Sequence, residues 1–181
     1  SDTVPTTPQS RILTPTLQAE ISEQLPTWCR FREWSLAYSP HVHGMSLQTF
    51  YRGQASRGCN VIVIADASGG IFGGFSTEPW RRCSKGYHGS GDCFLFAMQP
   101  GEHGERHREV TFYHTVGEQQ EVLFWGDERM ISFAGAFDVR NDFERGSTFP
   151  CDAFASPELT KTSGHGDFIV ESFECWQIGS S

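Results

Sequence analysis

The sequence predicts a mainly β domain with a few short helices, built as a two-sheet antiparallel β-sandwich. Short runs rich in β-branched and aromatic residues recur at spacings of about 8–12 residues, which is typical of sandwiches and barrels. Turn-forming residues separate these runs, and the 181 residues include 19 glycines and 15 phenylalanines. A chain of this length can bury a core without disulfides or a metal.

The N-terminal region is predicted to hold a disordered lead and one helix. Residues 1–11 are rich in Pro, Thr and Ser and show no periodicity. Thr14 is a candidate N-cap, and Pro15 then occupies the first helical position, where its missing N–H costs nothing. The apolar residues that follow share one helix face: Leu17, Ile21 and Leu25. The folded domain is predicted to span residues 12–178.

The next segments predict a strand, a turn and then a short element that fits either a helix or a strand. Residues 31–39 alternate between apolar and polar side chains and end before Pro40, which predicts a strand. Residues 41–46 are turn-like. Residues 47–52 fit either a short helix or a short strand.

Residues 61–98 form the stretch around which the chain is expected to be organised. Residues 61–64 are β-branched and too few for a helix, so they predict a buried strand. A glycine-containing turn and a second strand at 71–75 follow, which indicates an antiparallel hairpin. Residues 76–92 are predicted to be a loop, and residues 93–98 a third strand.

The C-terminal half continues the pattern of short strands. A hydrophilic loop is predicted at 99–109 and turns at 117–120 and 142–147. Strands are predicted at 110–115, 121–125, 130–134, 136–139 and 168–178. No internal repeat or second domain is evident.

Charge and composition exclude several classes of function. The net charge of −8 argues against nucleic acid as a partner, because such binding needs a basic face. No apolar run is long enough for a transmembrane helix, and the first residues lack the apolar core of a secretory signal. The six cysteines are scattered without a C-x-x-C pair, which favours reduced, mostly buried thiols in the cytosol. No nucleotide-binding motif is present, and no cofactor is expected.

Several small groups of polar residues are candidate sites. Cys83, His88 and Cys93 could supply three zinc ligands, but their spacing matches no common zinc module. The pair His41 and His43 is interpreted as stabilising a turn rather than binding a metal. Other polar groups allow two further interpretations. Glu78 and Glu174, each beside a tryptophan, could form an acid–base pair, although Glu78 is expected to cap backbone amides while Trp80 packs on the core. Cys83 is the candidate reactive thiol, because neighbouring basic residues favour its thiolate.

Two motifs resemble the TLDc domain, which occurs in oxidation-resistance proteins and in some TBC-domain proteins. The first is D-x-x-G-x-I-F-G-G-F-x-x-E-P-W at residues 66–80, and the second is Y-H-G-S-G-D-C-F-L-F at residues 87–96. The resemblance implies a sandwich flanked by short helices, with a helix at 47–52. The chain departs from the family at 131–139, where a glycine-rich stretch retains only Gly135.

The resemblance implies a non-enzymatic interaction domain linked to protection against oxidative stress. Vacuolar proton-pump subunits and vesicle-traffic proteins are the implied partners, with a cytoplasmic location and peripheral association with vesicle or vacuolar membranes. The loops 76–92 and 132–142 are the expected partner surface. The expected binding residues are Glu78, Trp80, Arg81, Arg82, Lys85, Tyr87, His88 and Asp92. A thiol-dependent antioxidant enzyme using Cys83 and a lectin-type sandwich are the alternatives.

Overall fold

The structure, a computed structural model, describes residues 10–54, 58–98, 109–117, 122–160 and 166–179. Its helices are α1 (Pro15–Gln24), α2 (Pro40–His43) and α3 (Leu47–Gly53), with a 3-10 turn at Asp152–Phe154. Its strands are β1 (Trp34–Tyr38), β2 (Asn60–Asp66), β3 (Ile71–Ser76), β4 (Cys83–Gly89), β5 (Phe94–Met98), β6 (Val110–His114), β7 (Val122–Gly126), β8 (Met130–Phe133), β9 (Phe137–Arg140), β10 (Arg145–Thr148) and β11 (Asp167–Ile178).

The strands form two antiparallel layers that share the long strand β11. The first sheet has the order β1-β11-β2-β3-β5-β6, and the second has the order β4-β7-β8-β9-β10-β11. Residues 167–169 of β11 pair with β10, whereas the residues from Val170 to Gln177 pair with β2. The predicted sandwich-like fold, mainly β with a few short helices, is confirmed.

The first sheet is buried on both faces, and β2 shows this most clearly. Ile62 and Ile64 point into the core between the two sheets, here called the inner core. Val61 and Val63 point the other way, into a second cluster, here called the outer core. All four side chains have no solvent exposure. Burying a side chain of this size stabilises the fold by about 1.5–3 kcal/mol.

Helix α1 covers the outer core, as its apolar spacing predicts. The Thr14 hydroxyl accepts a hydrogen bond from the Leu17 amide at 3.1 Å, which confirms the predicted N-cap. The helix ends at Gln24, just before Pro26. The buried apolar residues of this segment are Leu17, Ile21 and Leu25.

Two glycines of β3 allow its neighbours to approach closely. A Cβ atom on Gly73 would lie 1.8 Å from the carbonyl oxygen of Ile62 in β2. A Cβ atom on Gly74 would lie 2.7 Å from Cζ of Phe133, which belongs to the opposite sheet. Any larger side chain at these positions would therefore push β2 or the second sheet away.

A buried carboxylate fixes the turn between β2 and β3. One oxygen of Asp66 accepts hydrogen bonds from the amides of Ser68 and Gly70 at 2.9 and 3.0 Å, and from the Ser68 hydroxyl. Its other oxygen accepts from the hydroxyl of Thr160, which ties the turn to the C-terminal part of the chain. Asp66 is fully buried, so these partners replace the water that an ionised carboxylate needs.

The central and C-terminal predictions are mostly confirmed, with one clear correction. The hairpin of β2 and β3, the helix at 47–52 and the strands β5 to β9 and β11 lie close to the predicted ranges. Residues 76–92, however, are not one loop, because they contain β4, which pairs with β7. The sequence conceals this strand because Gly86, with a φ of 71°, interrupts its alternation.

Three smaller predictions also need correction. The strand predicted at 31–39 begins only at Trp34, because residues 26–32 form a hydrogen-bonded turn. Part of the turn predicted at 41–46 is the single helical turn α2. The turn predicted at 142–147 covers only the first residues of that range. Residues 141–143 adopt left-handed φ values of 53, 50 and 72°. Strand β10 begins at Arg145.

Some predictions lie outside the described residues. These are most of the N-terminal lead, nearly all of the loop at 99–109 and most of the turn at 117–120.

Replacing Gly74 with alanine is expected to lower the free energy of unfolding by about 1–3 kcal/mol, because the new methyl group overpacks the inner core. Gly58→Ala is the matched control, since nothing lies within 4 Å of a Cβ atom built there. Urea unfolding followed by circular dichroism measures both variants. Equal stabilities for the two variants would contradict the close approach of the sheets.

Candidate functional site

The residues singled out by the sequence between 76 and 92 lie in the end strand β4, in the turn before it and, for Asp92, in the turn after it. That turn is fixed by Ser76, whose hydroxyl accepts from the Glu78 amide at 3.1 Å and donates to the Glu78 carbonyl at 2.8 Å. The side-chain amide of Asn60 in β2 donates to the same carbonyl at 3.0 Å. The turn therefore carries the chain from the first sheet to the edge of the second.

Trp80 is part of the inner core rather than of a binding surface. Its side chain is 1% exposed, and its ring meets those of Phe124 and Phe133 at centroid distances of 5.3 and 6.0 Å. Its indole N–H donates to Asn60 Oδ1 at 3.0 Å, so the polar atom is satisfied. The expectation that Trp80 packs on the core is confirmed, and its assignment as a contact residue is corrected.

Tyr87 is also a core residue. It is 5% exposed, and its ring stacks on that of Phe124 at 5.7 Å. Burial raises the pKa of its phenol well above the usual range, so the group stays neutral. Neither Tyr87 nor Trp80 can contact a partner directly.

Among the described residues, no backbone amide donates to the Glu78 carboxylate, so the expected cap is not formed there. The carboxylate lies 3.9 Å from the guanidinium of Arg81, with both side chains partly exposed, and such surface pairs contribute about 0–1 kcal/mol. Glu174, its candidate acid–base partner, is buried in β11, where its carboxylate binds the N-terminal segment. Its oxygens accept from the Ser10 hydroxyl and the Arg11 amide at 2.8 and 2.7 Å, which fastens the N-terminal segment to the first sheet.

Three basic side chains form an exposed strip beside and along β4, here called the cationic rim: Arg81, Arg82 and Lys85. The guanidinium of Arg81 lies over the Tyr87 ring at 4.5 Å, and that of Arg82 lies over the Tyr51 ring at 5.4 Å. Cation–π contacts at such sites contribute about 0.5–1 kcal/mol each and restrict the side chains. Buried Tyr87 therefore contributes to this surface indirectly, because its ring supports the guanidinium of Arg81.

His88, in β4, and Asp92, in the turn between β4 and β5, are both exposed. Next to the cationic rim lies an open cleft of about 360 Å³. Its lining residues are Arg82, Cys83, Ser84, Gly126, Asp127, Glu128 and Arg129. The edge therefore carries charges of both signs.

Cys83 is half-buried in this cleft. Its thiol donates to the carbonyl of Gly86 at 3.0 Å, within the irregular part of β4. Cys93 is fully buried beside Thr77, and burial raises the pKa of its thiol. Over the ranges that the structure describes, no three His, Cys, Asp or Glu side chains gather as a metal site.

His43 stabilises the turn around α2, as expected. Its Nδ1 accepts from the Ser39 amide at 3.0 Å, and its ring stacks on that of Tyr38 at 5.8 Å. His41 lies exposed on the same helical turn.

The structure buries two further cysteines in the outer core. Cys29 follows α1, Cys59 precedes β2, and the Cys59 thiol donates to the carbonyl of Ile178 at 3.4 Å. All six cysteines are free thiols, and Cys83 alone among them is not buried.

A family model of the TLDc domain matches residues 6–179. The chain belongs to the TLDc family. Oxidation resistance protein 1 of Rattus norvegicus is 28% identical over 173 residues, which cover 92% of this chain and 19% of that protein. Oxidation resistance protein 1 of Yarrowia lipolytica is 27% identical over 183 residues, which cover 94% of this chain and 75% of that protein.

A second kind of TLDc relative is equally similar. Nuclear receptor coactivator 7 of Gallus gallus is 31% identical over 160 residues, which cover 87% of this chain and 16% of that protein. This TLDc chain thus spans less than a fifth of the length of its rat and chicken relatives. None of the helices in the described ranges is long and apolar enough to cross a membrane.

The exposure of the thiols predicts their reactivity in the reduced, folded protein. Iodoacetamide is expected to modify Cys83 quickly, because the other five cysteines are buried, and to modify all six in denaturant. Cys83→Ser removes the fast reaction. Intact-mass spectrometry counts the modified thiols, and fast labelling of several cysteines in the native state would contradict the burial described here.

Proposed function

We propose that this TLDc domain is a protein-interaction module that contributes to oxidation resistance by binding subunits of the vacuolar proton pump or vesicle-traffic proteins. The names of its relatives support the link to oxidation resistance. The proposal places the domain in the cytoplasm, where a protein partner would hold it at a vesicle or vacuolar membrane.

The cationic rim is the observation that carries the proposal. The chain as a whole has a net charge of −8, yet three basic side chains are exposed together at one sheet edge. Two of them, Arg81 and Arg82, are held over tyrosine rings, so they lose less conformational freedom on binding. An acidic surface on a partner subunit is the chemistry that fits this edge.

Charges at the rim of an interface act mainly on the rate of association and on its dependence on salt. Binding through the cationic rim should therefore weaken as ionic strength rises, because salt screens exposed charges beyond about 8–10 Å. The buried aromatic residues beneath β4 keep the rim in place without touching the partner.

The thiol-dependent enzyme is the second candidate function. The half-buried thiol of Cys83 favours it, since the thiol lines an open cleft that also contains Arg82 and Arg129. An enzyme of this kind would consume peroxide catalytically, which a binding module would not do. The lectin-type alternative needs exposed tryptophan and tyrosine side chains. Trp80 and Tyr87 are buried, whereas Trp28 is 50% exposed.

Reversing the charge of Arg81, Arg82 and Lys85 together, each to glutamate, is expected to weaken binding to purified pump subunits at least tenfold at low salt. The matched control reverses three exposed arginines away from the rim: Arg11, Arg32 and Arg145. The two variants carry equal net charge, so a difference between them reports the position of the charge. Surface plasmon resonance at several salt concentrations measures both.

Circular dichroism and thermal unfolding verify that each variant is folded. Equal binding by the rim variant and the wild-type domain would overturn the assignment of this edge. Peroxide turnover that Cys83→Ser abolishes, without binding to any pump subunit, would favour the enzyme instead.

A further inference from the structure

The turn between α1 and β1 exposes two large aromatic side chains. Trp28 is 50% exposed and Phe31 is 90% exposed, the highest value among the large apolar residues that the structure describes. Neither residue belongs to the inner or the outer core, and the open clefts of about 360 and 410 Å³ are lined by other residues. Exposed apolar side chains that are grouped together mark contact with a protein or a membrane more often than isolated ones do.

Hydrogen bonds hold this turn in one shape. The amides of Cys29 and Arg30 both donate to the Pro26 carbonyl at 3.0 Å, and the Cys29 carbonyl accepts from the Arg32 amide at 3.1 Å. The guanidinium of Arg30 donates twice to the Leu25 carbonyl, at 3.2 and 3.0 Å, which ties the turn to the end of α1. The Cys29 side chain is fully buried in the outer core. The turn is therefore fixed from beneath, and only its outer side is free.

The same hydrogen bonds place the two aromatic side chains next to each other. The bond from the Arg30 amide to the Pro26 carbonyl spans four residues, as in an α-helix, where positions three apart are neighbours. Trp28 and Phe31 are three positions apart. They protrude together from the turn instead of lining a groove, so a fluid surface that closes around them fits them better than a rigid one.

The charges beside the two rings favour an anionic surface. Residues 26–33 contain two arginines and one glutamate, a net charge of +1, whereas the whole chain has a net charge of −8. Arg32 is exposed, and Arg30 is half-buried. Tryptophan and phenylalanine with arginine beside them are typical of segments that lie at a membrane–water interface. Acidic groups farther than about 8–10 Å from such a surface are largely screened by salt.

We propose that the turn at residues 26–32 is a lipid-contact site for a bilayer surface with anionic headgroups. Trp28 and Phe31 enter the boundary between headgroups and acyl chains, and Arg32 stays at the level of the lipid phosphates. Because binding to an interface scales with the apolar area that enters it, two side chains support only weak, reversible attachment. Binding of pump subunits uses the cationic rim and is measured without lipid, so a failure of either proposal leaves the other standing.

Sedimentation of the chain with lipid vesicles tests the proposal. The probes are phosphatidylcholine vesicles with and without one quarter phosphatidylserine. We expect the wild-type chain to bind the mixed vesicles and to bind pure phosphatidylcholine more weakly. Phe31→Ser and Trp28→Ser should each weaken binding to the mixed vesicles about tenfold, because each removes aromatic area that enters the bilayer. Circular dichroism verifies that both variants are folded.

Two control variants separate this turn from the rest of the surface. The double variant Val42→Ser and Met45→Ser removes apolar side chains that are 55% and 51% exposed around α2, which follows the opposite end of β1. It should bind as the wild-type chain does. The charge reversal of Arg81, Arg82 and Lys85 should also leave vesicle binding in place, because the rim is not the lipid contact.

The fluorescence of Trp28 reports insertion directly. The other four tryptophans are buried or half-buried: Trp34, Trp80, Trp125 and Trp176. Emission should therefore shift to shorter wavelength on binding, and brominated acyl chains should quench it. Trp28→Phe keeps an aromatic ring at this position, so it should retain binding and lose most of both signals.

Four results would overturn the proposal. They are the absence of wild-type binding to either kind of vesicle, equal binding by Phe31→Ser and the wild-type chain, loss of binding in the rim variant, and unchanged tryptophan emission in the bound protein. Retention by a purified pump subunit that Phe31→Ser abolishes, without binding to vesicles, would assign the turn to a protein interface instead.

Discussion

The close approach of β2 and β3 is the constraint on which the rest of the structure depends. Both faces of this hairpin are buried, so its side chains must fill an inner core on one side and an outer core on the other. The glycine pair of β3 leaves room for the Ile62 carbonyl and the Phe133 ring, which brings the second sheet into contact. Asp66 then closes the hairpin with hydrogen bonds that compensate for its own burial.

The position of the candidate surface follows from this arrangement. Strand β11 passes from the second sheet into the first, and β4 ends the second sheet after the chain has crossed from β3. Because Trp80 and Tyr87 turn inward, the charged residues between and beside them must face outward. The family motif E-P-W at 78–80 therefore serves mainly the fold, and the arginines that follow it are the charges to which our proposal assigns recognition.

The sequence was most informative where local pattern and tertiary packing agree. The β-branched run at 61–64 and the apolar spacing of α1 each predict an element that the structure contains. Strand β4 was missed because Ser84 and Lys85 are both exposed and Gly86 breaks the alternation, so its pairing with β7 is visible only in three dimensions. The sequence predicts the rim arginines as binding residues, but their support by Tyr51 and Tyr87 depends on contacts that no spacing encodes.

The cysteines of this domain lie in separate physical environments. Cys83 packs against the inner core and borders the cleft at β4, whereas Cys29 and Cys59 lie in the outer core. Because Cys83 alone among the six cysteines is not buried, a reagent in water reaches its thiol without any opening of the fold. The other five thiols react only when the packing around them opens, so their reactivity reports the stability of the two cores.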